Sequence, residues 1–159
     1  MLRLAGAIMI ILSGTMIGFS KSARLKCRQD SLEKIIYSLR IMENEIGYGK
    51  MSMDVVFEKI AELGGIFLEK NKSETAGKIF SDAVCRDELK LEHSDIDVLM
   101  RFSGTLGTLD TSSQVKNIQN TIKSLEILKE DARENFLKYG KMYRSIGILT
   151  SILVVIVLI

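Results

Sequence analysis

This 159-residue sequence contains no proline. Average usage of about 5% would give roughly eight prolines in a chain of this length. Because proline is the strongest helix breaker, its absence favours long helices and excludes PxxP recognition segments. Aromatic residues are only 6% of the chain, which fits an all-α protein better than a β-sandwich. We therefore expect an all-α fold.

The N-terminal end is apolar. Residues 4–20 contain no charge and would span about 26 Å as a helix, close to the roughly 30 Å hydrocarbon core of a bilayer. Four cations follow directly: Lys21, Arg24, Lys26 and Arg28. A cleaved signal peptide is the main alternative, but no A-x-A site follows and the cationic segment would have to be translocated, against the positive-inside rule. We predict a retained transmembrane anchor over residues 1–20; a buried core helix is the remaining alternative.

The C-terminal end, residues 146–159, is also apolar and follows Lys138, Lys141 and Arg144. Its 14 residues would span only about 21 Å, so a buried core helix is an alternative. Long basic side chains can lengthen the effective span by reaching toward the interface. We predict a second transmembrane helix. Because both basic flanks favour the same compartment, the two spans would form a hairpin with residues 21–145 in the cytoplasm.

Gly14 and Gly18 form a small-xxx-small pattern within the first apolar stretch. Such a pattern lets two membrane helices approach closely, although it also arises by chance in apolar stretches. The helix that packs on these glycines would be this chain's own C-terminal helix or a helix of another protein.

Apolar residues recur at intervals of three and four through residues 30–145, which predicts five amphipathic helices packed as a bundle. The sequence indicates a first helix that starts at the capping box of Asp30 and Glu33 and ends at residues 47–49. We expect a second helix from Ser52 to the Gly64-Gly65 pair, with Val55, Val56, Ile60 and Leu63 as its apolar stripe. A third helix is expected over residues 74–86, and a fourth is expected to begin at Ser94.

The last helix is predicted to begin at Asp110 or Thr111 and to run directly into the C-terminal span. Its apolar positions keep a heptad-like spacing from Val115 to Tyr143. Packing inside the bundle and a separate coiled coil are both compatible with that pattern.

The sequence contains few residues that could serve in catalysis or metal binding. It has one histidine and two cysteines, Cys27 and Cys85, and no nucleotide-binding glycine loop. A polar stretch around His93 could be interpreted as a metal cluster or as a solvated segment; its acidic members are Glu88, Glu92, Asp95 and Asp97. We favour the solvated segment, and we expect no enzymatic activity, no cofactor and no metal.

Charge is unevenly distributed along the chain. Residues 1–28 hold five basic residues and no acid, whereas residues 30–97 carry a net charge of −6. Nucleic-acid binding is therefore not expected, since phosphate contacts require a concentrated basic face on the folded domain. We expect the acidic stretch to meet a basic partner through Glu43, Glu45, Asp54 and Glu58. The alternative is that these acids only keep a helical face solvated.

Three segments together resemble the stage III sporulation protein AB family. Residues 42–48, MENEIGY, resemble its Leu/Met-Glu-x-Glu-Ile-x-Tyr motif, and residues 102–114 resemble its LGxxD…Q stretch. Residues 138–147, KYGKMYRSIG, resemble its K-x-G-K-x-Y-R-x-x-G junction before the last span. The resemblance covers nearly the whole chain in order. One departure is Ser52-Met53, where the family usually has Pro-Leu.

This resemblance implies a membrane protein of endospore-forming bacteria, in the mother-cell membrane facing the forespore. It implies a part of a trans-compartment channel or secretion-like complex, with a soluble domain similar to the cytoplasmic domains of type II secretion platform proteins. The implied partner is the sporulation ATPase encoded beside it, together with other membrane components of the channel. A homo-oligomer is compatible with this interpretation, and so is a membrane-anchored helical scaffold without a motor partner.

Overall fold

The computed structural model describes the backbone of residues 2–49, 53–63 and 75–158. All regular structure in these ranges is helical, which confirms the all-α prediction. The order is α1 (Leu2–Gly49), α2 (Met53–Glu62), α3 (Ala76–Val84), a 3₁₀ turn (Asp87–Leu89), α4 (His93–Thr105) and α5 (Thr111–Leu158). The predicted cap at Ser52 and the predicted stop at Gly64-Gly65 lie outside the described residues.

The chain divides into two compact units. We call Met1–Gln29 with Asp131–Ile159 the hairpin unit, and Asp30–Glu130 the bundle unit. The boundaries predicted at residues 20 and 145 mark where the chain would leave the membrane, whereas these two units are defined by their internal contacts. The predicted boundaries therefore stay predictions.

Helix α1 corrects one sequence interpretation. A helix start was expected at Asp30, but α1 continues unbroken through it to Gly49. The physical reason is that no glycine or proline occurs between Gly18 and Gly47, so nothing in the sequence interrupts the helix there. The predicted end at residues 47–49 is confirmed.

Apolar faces of all five helices supply the core of the bundle unit. From α1 the buried residues include Leu32, Ile35, Leu39 and Met42. The stripe predicted for α2 is partly wrong: Val56 and Ile60 are buried, but Val55 and Leu63 are exposed and Phe57 is buried instead. The other helices contribute Ile79, Phe80, Ala83, Val84, Leu99, Phe102, Ile118, Ile122 and Leu125. These side chains come from all five predicted helices, as the periodicity indicated.

Helices α3 and α4 meet through an aromatic pair. The rings of Phe80 and Phe102 pack edge to face with centroids 5.2 Å apart. The N-cap of α4 is Glu92, two residues before the expected Ser94, because Glu92 and Asp95 form a capping box. The backbone N–H of Glu92 donates to Oδ2 of Asp95 at 2.9 Å, and Asp95 is fully buried rather than solvated.

In the hairpin unit, α1 and α5 run antiparallel in close contact. A Cβ added at Gly18 would lie 2.7 Å from the carbonyl oxygen of Tyr143, and one added at Gly14 would lie 2.7 Å from Cβ of Ser151. Further along, Nε of Arg144 donates to Oγ of Ser22 at 2.9 Å. These contacts fix the register of the two helices.

Candidate interaction surface

The expected acidic residues differ in how far they are engaged within the bundle unit. Nε2 of Gln119 on α5 donates to Oε1 of Glu43 at 2.7 Å. Nζ of Lys59 donates to Oε1 of Glu45 at 2.5 Å, and only 16% of the Glu45 side chain is exposed. Glu58 on α2 is exposed. The side chain of Asp54 lies outside the described part of the chain.

Glu43 lies at an open groove between α1 and α5 of the bundle unit. Nη2 of Arg40 donates to Oε1 of Glu126 at 2.7 Å across this groove. The remaining lining includes Asn44, Gln119, Ile122 and Lys123. A second groove, of about 580 Å³, extends along the same two helices past Tyr48 and Val115. Tyr48 is 92% exposed, so this end of α1 presents an aromatic side chain to solvent.

Helix α5 starts at a strong N-cap within the bundle unit. Oγ of Ser112 donates to Oδ2 of Asp110 at 2.6 Å, and the backbone N–H of Ser113 donates to the same oxygen at 3.2 Å. The hydrogen bond from the Ser112 side chain, followed by those from Ser113, lowers the pKa of Asp110 below its ordinary value. Asp110 rather than Thr111 is therefore the cap.

Gln114 lies in the stretch of residues 102–114 that resembles the family, and its exposure is only 2%. Neither Oε1 nor Nε2 of Gln114 has a hydrogen-bond partner among the described residues. Nothing in the helical periodicity identified this buried amide; only the family resemblance singled it out.

Gly14 and Gly18 both face α5 of this chain. Gly147 completes the contact, since a Cβ there would lie 2.8 Å from the carbonyl oxygen of Gly14. Ser22 and Ser151, at the two sides of this contact, are buried at 1% and 4% exposure. Of the two partners left open by the sequence, the structure brings the chain's own C-terminal helix to these glycines.

The cations predicted to flank the membrane all lie in the hairpin unit, but they are not equivalent. Arg28 is buried and donates to Asp131. Arg144 is half-buried, with Cζ 5.5 Å from the ring centroid of Phe19. The exposed members are Lys21, Arg24, Lys26, Lys138 and Lys141. The sequence predicted the charge of this region but not which cation is buried.

Helix α5 carries the clearest membrane signal in the described chain. It contains an 18-residue stretch with a mean hydropathy of 1.5, and 11% of that stretch is buried. A core helix of a soluble protein would be mostly buried. The N-terminal anchor expected over residues 1–20 includes side chains at 1–5, 7, 8 and 11 that lie outside the described part, and it stays a prediction.

Metal ligation finds no support in the described residues, which contain no group of three or more His, Cys, Asp and Glu side chains able to hold an ion. The thiol of Cys85 is exposed, and Cys27 is half-buried. His93 is the first residue of α4 and is exposed.

Comparison with known proteins identifies the family. The family model of stage III sporulation protein AB matches residues 3–159. Stage III sporulation protein AB of Bacillus subtilis (strain 168) is 29% identical over 171 aligned positions, which cover 99% of both chains. A solved structure of stage III sporulation protein AB is similar at a TM-score of 0.60 and 25% identity, over 69% of this chain and 96% of that one. The chain therefore belongs to the stage III sporulation protein AB family.

Proposed function

We propose that this protein is a non-enzymatic membrane platform of sporulation. In this role it couples a cytoplasmic secretion-type ATPase to a trans-compartment channel between mother cell and forespore. Its apolar ends anchor it in the mother-cell membrane that faces the forespore, and residues 21–145 lie in the cytoplasm. Membership of the family supports a role in sporulation. The ATPase partner is inferred from the family resemblance.

The continuity of α5 is the main structural support for this proposal. This one helix supplies Ile118 and Leu125 to the bundle core and ends in the exposed apolar stretch from Ile146 onward. A helix is a stiffer connection than a Gly/Ser-rich linker, so α5 suits a protein that couples a partner-binding domain to an anchor.

The acidic surface of the bundle unit is the proposed contact with the ATPase. Opposite charges raise the association rate and orient the partners more than they add affinity. Glu45 is engaged with Lys59. Among the predicted contact residues whose side chains the structure describes, the exposed Glu58 and the remaining oxygen of Glu43 are therefore available to a basic patch.

A charge-reversal experiment tests this contact. The double variant Glu43→Lys with Glu58→Lys in the full chain should associate with the ATPase at least about ten-fold more slowly at low salt. The control Asp82→Lys with Asp97→Lys reverses two exposed acids on α3 and α4 and should leave the rate unchanged. An equal rate for wild type and the first variant would overturn the acidic contact. Absence of any binding by the wild type would instead favour a helical scaffold without a motor.

Thiol labelling tests the topology separately, because the exposed Cys85 can be modified by a reagent. Cys85 is exposed in the bundle unit and should lie in the cytoplasm. A membrane-impermeant thiol reagent should therefore modify it only after lysis. Modification in intact cells would contradict the cytoplasmic location.

A further inference from the structure

The antiparallel register of the hairpin unit brings five of its cations to a similar level, and we call these five the band: Lys21, Arg24, Lys138, Lys141 and Arg144. Gly18 lies beside Tyr143, and Ser22 lies beside Arg144 and Gly140. Continuing that register places Lys21 level with Lys141 and Arg24 level with Lys138. At 1.5 Å per residue, residues 138–144 span about 9 Å along the helix axis.

Nothing acidic offsets this band locally. The sequence contains no Asp or Glu in residues 1–29 or 135–159. Four of the five cations are exposed: Lys21, Arg24, Lys138 and Lys141. The band therefore presents a concentrated positive charge at the end of the apolar stretch.

Arg144 is held in a defined orientation within the band. Its Nε donates to Oγ of Ser22 at 2.9 Å, and its Cζ lies 5.5 Å from the ring centroid of Phe19. These contacts use Nε and one face of the guanidinium, so Nη1 and Nη2 remain as donors for an anion. A planar fork of two N–H donors matches the oxygens of a phosphate.

Two tyrosines lie next to the cations of the band. The Lys138 ammonium lies 5.2 Å from the ring centroid of Tyr139, and the Tyr143 side chain is 39% exposed. Tyrosine is enriched where the hydrocarbon core meets the headgroups, because its ring is apolar and its hydroxyl is polar. In the membrane orientation of the proposed function, the cations next to these rings would lie at the level of the lipid phosphates.

We propose that this band binds the headgroup phosphate of anionic phospholipids, with Arg144 as the oriented ligand and Lys21 and Lys141 as flanking cations. The proposal rests on the membrane anchoring in the proposed function. It adds a preference for one lipid class, which a general excess of positive charge at the cytoplasmic side does not require.

The test is the population of lipid adducts on the full chain, measured by native mass spectrometry from micelles doped equally with phosphatidylglycerol and phosphatidylcholine. Wild type should retain phosphatidylglycerol in preference. Each cation removed should lower that retention about five-fold, so Lys21→Gln with Lys141→Gln should nearly abolish the preference. The control Lys116→Gln with Lys123→Gln removes two exposed cations of α5 in the bundle unit and should retain it.

A single substitution isolates the guanidinium. Arg144→Lys keeps the charge but removes the planar fork, and it should also lower the phosphatidylglycerol adducts. If this variant loses helicity by circular dichroism, the test rests on the lysine pair, because both lysines are exposed. Equal adducts of the two lipids on wild type, or unchanged preference in the lysine pair, would overturn the proposal.

The lipid result is separable from the membrane anchoring itself. A chain that stays in the aqueous fraction without detergent would overturn the anchoring. A chain that enters membranes without a lipid preference would overturn only the lipid site.

Discussion

Arg28 donates a hydrogen bond from Nη1 to Oδ2 of Asp131 at 3.3 Å, and only 3% of the Arg28 side chain is exposed. The same oxygen accepts a hydrogen bond from Nδ2 of Asn135 at 3.2 Å. This pair joins α1 to α5 within the hairpin unit, across 103 positions of sequence. A buried guanidinium needs acceptors, because a desolvated donor without a partner is costly.

Removal of the acceptor should therefore weaken the hairpin. Asp131→Ala should lower the stability of the full chain by about 1–2 kcal/mol, since the carboxylate itself is half exposed and screened. Thermal unfolding in detergent micelles measures this. Glu134→Ala, which removes an exposed carboxylate three residues further along α5, is the control and should change nothing. Equal melting of Asp131→Ala and wild type would show that this pair contributes no stability.

The close helix contact at Gly18 predicts a large effect from a single methyl group. Gly18→Ala should destabilise the hairpin by about 1–3 kcal/mol, because the new Cβ would meet a backbone oxygen that has no rotamer to change. Gly6→Ala is the matched control, since nothing lies within 4 Å of a Cβ at that position. The comparison is made by thermal unfolding of the full chain in micelles. Similar losses for both variants would contradict the close contact.

The bundle unit should fold without the apolar ends. Residues 29–145 are predicted to form a helical fragment that unfolds cooperatively by circular dichroism, because its helices bury one another's apolar faces. Leu39 is fully buried, so Leu39→Asp should cost about 4 kcal/mol or more. Asn120→Asp adds the same carboxylate to an exposed position of α5 and should be nearly neutral. A wild-type fragment without a cooperative transition would argue against one shared core.

The N-cap of α5 predicts a pH dependence. Since hydrogen bonds from Ser112 and Ser113 lower the pKa of Asp110 in the folded protein, its contribution is fully present at neutral pH. It decreases as the pH falls below about 4, the usual value for an unfolded aspartate. Asp110→Asn can still cap the helix but cannot titrate. The stability difference between wild type and this variant should therefore shrink on acidification, and a difference independent of pH would contradict the assignment.

The sequence was sufficient for features that depend on local periodicity. The apolar spacing identified Val56 and Ile60 as core positions, and the helix ends near Gly49 and Asp110 follow from glycine and capping chemistry. The start of α4 was less accessible, because Ser94 is a preferred type of N-cap residue, whereas the observed cap at Glu92 depends on its capping box with Asp95.

Pairings across the fold could not be predicted in this way. Whether Arg28 lies in solvent or in a helix contact depends on the register of α1 against α5, which no local pattern encodes. Similarly, the sequence identified Glu45 as an acidic residue on a helix but gave no sign that Lys59 engages it. The orientation of Arg144 beside Phe19 and Ser22 was inaccessible for the same reason.

A platform that couples an ATPase to a channel must recruit that ATPase to membranes. The full chain would be reconstituted into liposomes, mixed with the purified sporulation ATPase, and floated through a density gradient, with empty liposomes as the control. The platform role predicts that the ATPase floats with the liposomes that carry the chain and stays at the bottom with empty ones. An ATPase that remains at the bottom in both cases would show that the chain is not a platform for this motor.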